Sequence, residues 1–213
     1  MRQTLYFLRH GQTWFNVFSR LQGWSNSQLT EAGIRSAEES GRRLAQIPFD
    51  VVYASDLGRA METAALFLKA GERALPIHPC SALREIGFGY FEGLDGRSIV
   101  DLARAKAMDL RLLRENEPLT ERIRIDMCSL LDPYHLAENY TDFQARVVQG
   151  VKDILAKHKD AEHLLLFSHG SAIQAALEGL DTAFQADSHV QNSALCQLCH
   201  EDGRFWVTAY NVL

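Results

Sequence analysis

The sequence predicts a three-layer α/β/α domain on a mostly parallel sheet with an antiparallel edge hairpin. Three observations lead there. Short apolar runs of strand length, Thr4–Leu8, Asp50–Ala54 and His163–Ser168, alternate with stretches of helical period. Two of these runs stop abruptly at a His-Gly pair, His10-Gly11 and His169-Gly170. Two apolar runs near the C-terminus flank Asp202-Gly203, a hairpin signal.

The elements follow in order. Thr4–Leu8 suits a strand buried on both faces. Residues 14–29 read as a long polar loop with Gly23 as a point of close backbone approach. Thr30 reads as an N-cap with Glu31 in the first turn, opening a helix that runs to about Gln46 before Pro48. Asp50–Ala54 is the second strand. Ser55-Asp56 is expected to cap a further helix that ends at Gly71. Pro76–His78 forms a short strand at most. Residues 83–93, with three glycines among aromatics, read as an ordered loop. Residues 97–116 look helical up to Pro118, and 119–137 read as a short helix and a loop. Glu138 to about His158 is a long helix with Phe143, Val147, Val151, Ile154 and Leu155 at helical spacing. His163–Ser168 is the strongest strand signal, followed by a helix over 172–177. Ala194–His200 and Arg204–Val212 complete the chain as two strands.

A length of 213 residues suits a single domain over 1–213, with an insertion or lid at about 97–137. The net charge of −5 argues against a nucleic-acid partner. No apolar stretch approaches the length of a membrane span, and the N-terminus lacks the pattern of a signal peptide, so no membrane partner and a cytoplasmic location are expected. Four cysteines do not suggest a disulfide scaffold.

Open α/β sheets bind ligands at the carboxyl ends of their strands. Arg9 and His10 sit at one such end and His169 at another. Arg59, near the start of the helix after the second strand, and Glu85, in the loop after the third, belong to the same edge. Two guanidiniums, two imidazoles and a carboxylate make a set suited to phosphoryl transfer without a metal. The cations neutralise phosphate oxygens, an imidazole attacks and a carboxylic acid protonates the leaving oxygen.

With these residues in place, the chain resembles the histidine phosphatase superfamily, also called the phosphoglycerate mutase-like family. The matching segments are Leu8–Thr13 with Asn16, Gln22-Gly23 with Leu29–Gly33, Ser55–Ala60 with Thr63-Ala64, Leu83–Ile86 through Gly89, Phe91–Gly93, and Ser168–Gly170. The resemblance implies that His10 is a nucleophile forming a phosphohistidine. It implies that Arg9, Arg59 and His169 hold the phosphoryl group, and that Glu85 is the general acid and then the base. Asn16, Gln22, Gly23 and Gly170 match positions around the phosphate pocket. Asn26 and Gln28 stand where the family often has Asp and Pro, Glu62 where Gln is common, and Ala137-Glu138-Asn139 only partly matches a Gly-Glu-Ser element.

The expected activity is therefore hydrolysis of small phosphomonoesters, with no cofactor and no metal. Residues 97–137 contain no Arg-Arg pair and only two isolated prolines, and Gln22-Gly23 stands where mutases of the family favour Thr-Gly. The alternatives are a cofactor-dependent phosphoglycerate-type mutase, a non-catalytic sensor of phosphate ligands on the same fold, and metal-dependent hydrolysis at a zinc site formed by His10, His169 and a third ligand. Cys196–His200 matches a haem-attachment spacing, but on a strand these positions read as small core residues. Arg111, Arg114, Arg122 and Arg124 read as a solvated helix face that could instead bind further anionic groups. Trp14, Phe15 and Trp24 could stack on a substrate or belong to the core. His78, His135, His158 and His189 are given no role.

Overall fold

The computed structural model describes all 213 residues. Six strands form one sheet: β1 (Gln3–Arg9), β2 (Val51–Ala54), β3 (Ile77–Pro79), β4 (His163–Ser168), β5 (Leu195–Glu201) and β6 (Arg204–Val212). Their order is β3-β2-β4-β1-β5-β6. The first four strands are mutually parallel, while β5 runs antiparallel to both β1 and β6. The β5–β6 turn places Asp202 and Gly203 at φ 49° and 79°, the geometry that Asp-Gly hairpins favour.

Seven helices accompany the sheet: α1 (Trp14–Val17), α2 (Glu31–Arg43), α3 (Gly58–Ala70), α4 (Gly96–Asp109), α5 (Glu121–Leu131), α6 (Tyr140–Lys157) and α7 (Gly170–Leu180). Alternation along the strands sorts side chains between two cores. Tyr6, Leu8, Val52, Ala54, Leu165 and Phe167 pack with Phe67 and Leu68 of α3 and with Leu44 just beyond α2. Their neighbours Leu5, Phe7, Tyr53, Leu164 and Leu166 face the other way, into a larger core shared with α4, α5, α6 and α7. The period of two along buried strands thus builds the three layers. Truncating Phe7 or Phe167, both almost wholly buried, to alanine should cost about 3–5 kcal/mol.

Several boundaries depart from the sequence-based expectation. The segment after Thr13 is not all loop. Thr13 caps the short α1, and its hydroxyl and the Asn16 side chain bond each other's backbone N–H groups. Ser55 and Asp56 do not cap α3, which starts at Gly58 after Leu57 with no side-chain cap. Their polar atoms are engaged elsewhere: Ser55 bonds His169, and Asp56 pairs with Arg84. Helix α4 ends at Asp109, short of residue 116, because Arg111 turns to φ 59°. The N–H groups of Arg111 and Leu112 then close back onto Met108 and Ala107, a Schellman-type stop. Helix α6 starts at Tyr140, where Asn139 accepts the N–H of Asp142. Thr30 caps α2 as expected, bonding the N–H of Gly33.

Cys196 and Cys199 are buried in β5. No helix is long and apolar enough to cross a membrane.

Candidate active site

Parallel pairing of β1 with β4 sets Arg9 opposite Ser168. The next residues, His10 and His169, therefore leave the sheet side by side, with ring centroids 5.1 Å apart. Pairing of β2 with β4 brings Ser55 to the same edge, and its hydroxyl lies 2.8 Å from His169 Nε2. Both imidazoles are buried.

Arg59, from the first turn of α3, is almost completely buried and lies between them. Its Nε donates to His10 Nε2 at 3.2 Å, and one terminal nitrogen lies 2.9 Å from His169 Nδ1. The guanidinium also donates to the carbonyls of Gly23 and Ser25, both at 2.8 Å. Asn26 accepts the Arg59 backbone N–H at 3.2 Å. That loop is fixed from below by Glu92, whose carboxylate accepts the N–H groups of Gly23, Trp24, Ser25 and Phe88. A Cβ on Gly23 would run into the Ile86 carbonyl and Glu92, so the close approach expected of Gly23 is real.

The hydrogen bonds assign the tautomers. His10 Nδ1 lies 2.8 Å from its neighbour's carbonyl, Gly11 O, and must donate there. Its Nε2 then carries the lone pair. Burial, followed by Arg59 and Arg9, drives the His10 pKa well below 6.5. His169 is driven the same way by burial, Arg59 and His10. Burial also lowers Arg59 to about 10, which leaves it cationic at neutral pH.

Arg9 donates to the Val190 carbonyl at 2.6 Å, while its buried Nε has no protein acceptor. Gly170 opens α7 against it, and a Cβ there would stand 3.5 Å from Arg9 Nε.

Glu85 is buried at the N-terminus of α7. Its carboxyl accepts the N–H groups of Ser171 at 3.1 Å, Ala172 at 3.0 Å and Ile86 at 3.1 Å. Burial pushes its pKa up, against those donors and the two arginines. The surrounding loop is held by Arg146 of α6, which donates to the carbonyls of Ala82, Arg84 and Glu85 and pairs with Glu138 at 2.7 Å. Trp24 Nε1 also donates to the Glu85 carbonyl, at 3.0 Å.

Asn16 and Gln22 line the cavity above this set. Asn16 Oδ1 accepts from Thr13 N–H and from Asn192. The Gln22 amide is engaged inside its own loop, with Thr13 and Ser27. All nine site residues expected from the sequence therefore come to one strand edge.

Others were not foreseen. Asn192 donates to the His10 carbonyl at 3.0 Å and to Asn16. Arg124, expected on a solvated face, is mostly buried, pairs with Glu121 and lines the cavity. Arg111 and Arg114 are exposed as expected, and Arg122 lies over the Tyr140 ring. Phe15 lines the cavity, whereas Trp14 and Trp24 are about half exposed and do not. His189, given no role, stands at the cavity rim with Arg97, Asp101 and Arg104 of α4. The cavity measures about 1030 Å³.

Known proteins share this arrangement of chain. The 2,3-bisphosphoglycerate-dependent phosphoglycerate mutase of Methylobacterium sp. (strain 4-46) is 33% identical over 189 residues, 85% of this chain and 84% of that protein. The crystal structure of phosphoglycerate mutase from Bacillus anthracis str. Sterne superposes with a TM-score of 0.89 at 33% identity, covering 99% of this chain and 93% of that one. Mycobacterial glucosyl-3-phosphoglycerate phosphatase superposes with a TM-score of 0.77 at 25% identity over all of both chains. Residues 5–213 match the family model of the histidine phosphatase superfamily (branch 1), and the chain belongs to that superfamily.

Proposed function

We propose that the chain is a phosphatase that hydrolyses small phosphomonoesters through a phosphohistidine on His10. The observation that carries this is the Arg59 guanidinium bridging His10 Nε2 and His169 Nδ1, beside a buried Glu85. His10 Nε2 attacks phosphorus. Arg9, Arg59 and His169 take up the non-bridging oxygens and supply the positive charge that metal ions supply elsewhere. A bound phosphate dianion also favours the protonated form of His169, which then donates to it. Glu85 protonates the leaving oxygen as the P–O bond breaks. It then removes a proton from water, which attacks the phosphohistidine and releases inorganic phosphate and free His10. A metal cation at the two imidazoles would have to displace Arg59, which supports chemistry without a metal.

The cavity that runs from His10 to α4 opens to solvent, and that access for water is what supports hydrolysis over rearrangement. The second reading is a bisphosphoglycerate-dependent mutase, favoured by the identity with proteins so named. The deciding assay supplies 3-phosphoglycerate with catalytic 2,3-bisphosphoglycerate and follows both isomers and free phosphate. Phosphate release from several monoesters, with little isomerisation and with activity surviving chelation, is expected. Isomerisation much faster than phosphate release replaces hydrolase with mutase.

A further inference from the structure

Beside Glu85 lies a second, largely buried carboxylate that the chemistry above does not use. Glu121 is the first residue of α5, and its side chain reaches across to α7. Its Oε1 accepts the Ser171 hydroxyl at 2.7 Å and an Arg124 terminal nitrogen at 2.6 Å. Its Oε2 accepts Arg124 Nε at 3.1 Å. The Glu121 and Arg124 side chains are only 16% and 13% exposed, and Arg124 rests over the Phe88 ring. Burial alone would push the Glu121 carboxyl up, but Arg124, His189 and Ser171 hold it below its usual range, so it is ionised.

Its position gives the pair a meaning. Ser171 donates its backbone N–H to Glu85 and its hydroxyl to Glu121. Glu85, as general acid, must face the leaving oxygen. The Glu121–Arg124 pair therefore flanks the first atoms of the leaving group. Nε and one terminal nitrogen of Arg124 form the fork that would clasp a carboxylate or second phosphate, and Glu121 already fills it. A carboxylate offers about four acceptor sites. Ser171 and Arg124 use three.

We propose that Glu121 is a specificity-determining residue that selects against leaving groups with a second anion close to the scissile ester and favours those offering hydroxyl donors there. This rests on the assignment of Glu85 to the leaving-group side. A nearby anion must break a bidentate, largely buried ion pair or sit against the Glu121 charge, and both are costly. A hydroxyl meets the remaining acceptor site. Arg20, Arg97 and Arg104, with Asp101, line more of the cavity, so the selection concerns groups within a few bonds of the ester. The rim imidazole of His189 lies 3.9 Å from Glu121 Oε2, and Glu85 and Cys128 are the other titratable groups that act on Arg124.

The test is calorimetric binding of two non-hydrolysable phosphonates, 2,3-dihydroxypropylphosphonate and 2-carboxyethylphosphonate. The proteins are the wild type, Glu121→Gln and Glu121→Gln/Arg124→Ala, with methylphosphonate reporting the phosphate site. No turnover is involved, so failure here is distinct from failure of the hydrolase assignment. The wild type should bind the dihydroxypropyl compound about tenfold tighter. Glu121→Gln should shift the ratio about tenfold towards the carboxylate, and the double variant should lose that gain because the freed fork is gone. An unchanged ratio in Glu121→Gln, or a wild type preferring the carboxylate, overturns the proposal. So does loss of methylphosphonate binding in Glu121→Gln, which would make Glu121 a structural support.

Discussion

Arg59 Nε donates to His10 Nε2 from 3.2 Å, so in the proposed mechanism the cation that receives the phosphate also caps the attacking lone pair. Binding must transfer this N–H from imidazole to a phosphate oxygen, which couples occupancy of the site to release of the nucleophile. Lysine cannot reproduce the fork that also holds the carbonyls of Gly23 and Ser25. Arg59→Lys should lower kcat/KM about 10²–10³-fold and weaken competitive inhibition by inorganic phosphate, with both read from steady-state kinetics on p-nitrophenyl phosphate. A loss under threefold would detach Arg59 from the reacting phosphate.

The pH profile follows from two opposed shifts. Burial, Arg59 and Arg9 lower the pKa of His10, so the proposed nucleophile stays unprotonated below 6.5. Burial raises the pKa of Glu85, so the proposed acid keeps its proton above 4.5. For an alkyl phosphate, kcat/KM should climb as His10 loses its proton and fall as Glu85 loses its own. Arg9→Gln removes one cation near His10, so the acid limb should move to higher pH. Glu85→Gln should abolish the alkaline limb. It should also cost alkyl phosphates about 10²–10⁴-fold, and cost p-nitrophenyl phosphate, whose leaving group needs little protonation, far less. An acid limb that moves down in Arg9→Gln, or equal losses on both substrates in Glu85→Gln, would contradict these roles.

Much of this edge was legible because apolar strands that stop at a charge or imidazole point to their own ends. Arg9, His10 and His169 needed only that, and parallel pairing of β1 and β4 did the rest. Gly23 was legible because only glycine tolerates such close backbone approach. Ser55 was misread because Ser-Asp before a helix is also a cap signal, and its true partner is 114 residues away. Arg124 was misread because its surroundings are not local: it lies over Phe88 and lines a cavity whose other wall is α4. Asn192 lies in a stretch without periodicity, so nothing local marked it.

Asn192 nevertheless ties the nucleophile loop to the sheet. It bonds the His10 carbonyl, and the next residue, Ser193, donates to the Arg9 carbonyl at 3.1 Å with φ 60°. In the proposed mechanism it would act through His10, as a positioning residue. Asn192→Ala should lower kcat about tenfold through loosened geometry, while the affinity for inorganic phosphate, measured by calorimetry, changes less than threefold. Equal loss in both would indicate general disruption of the site.

The most direct measurement is a rapid acid-free quench of turnover with ³²P-labelled substrate, followed by peptide mapping. Up to one phosphoryl group per chain, acid-labile and alkali-stable, should be found on the peptide containing His10 and be absent from His10→Ala, which should also lose turnover. Label on another residue, or full turnover in His10→Ala, would contradict the account.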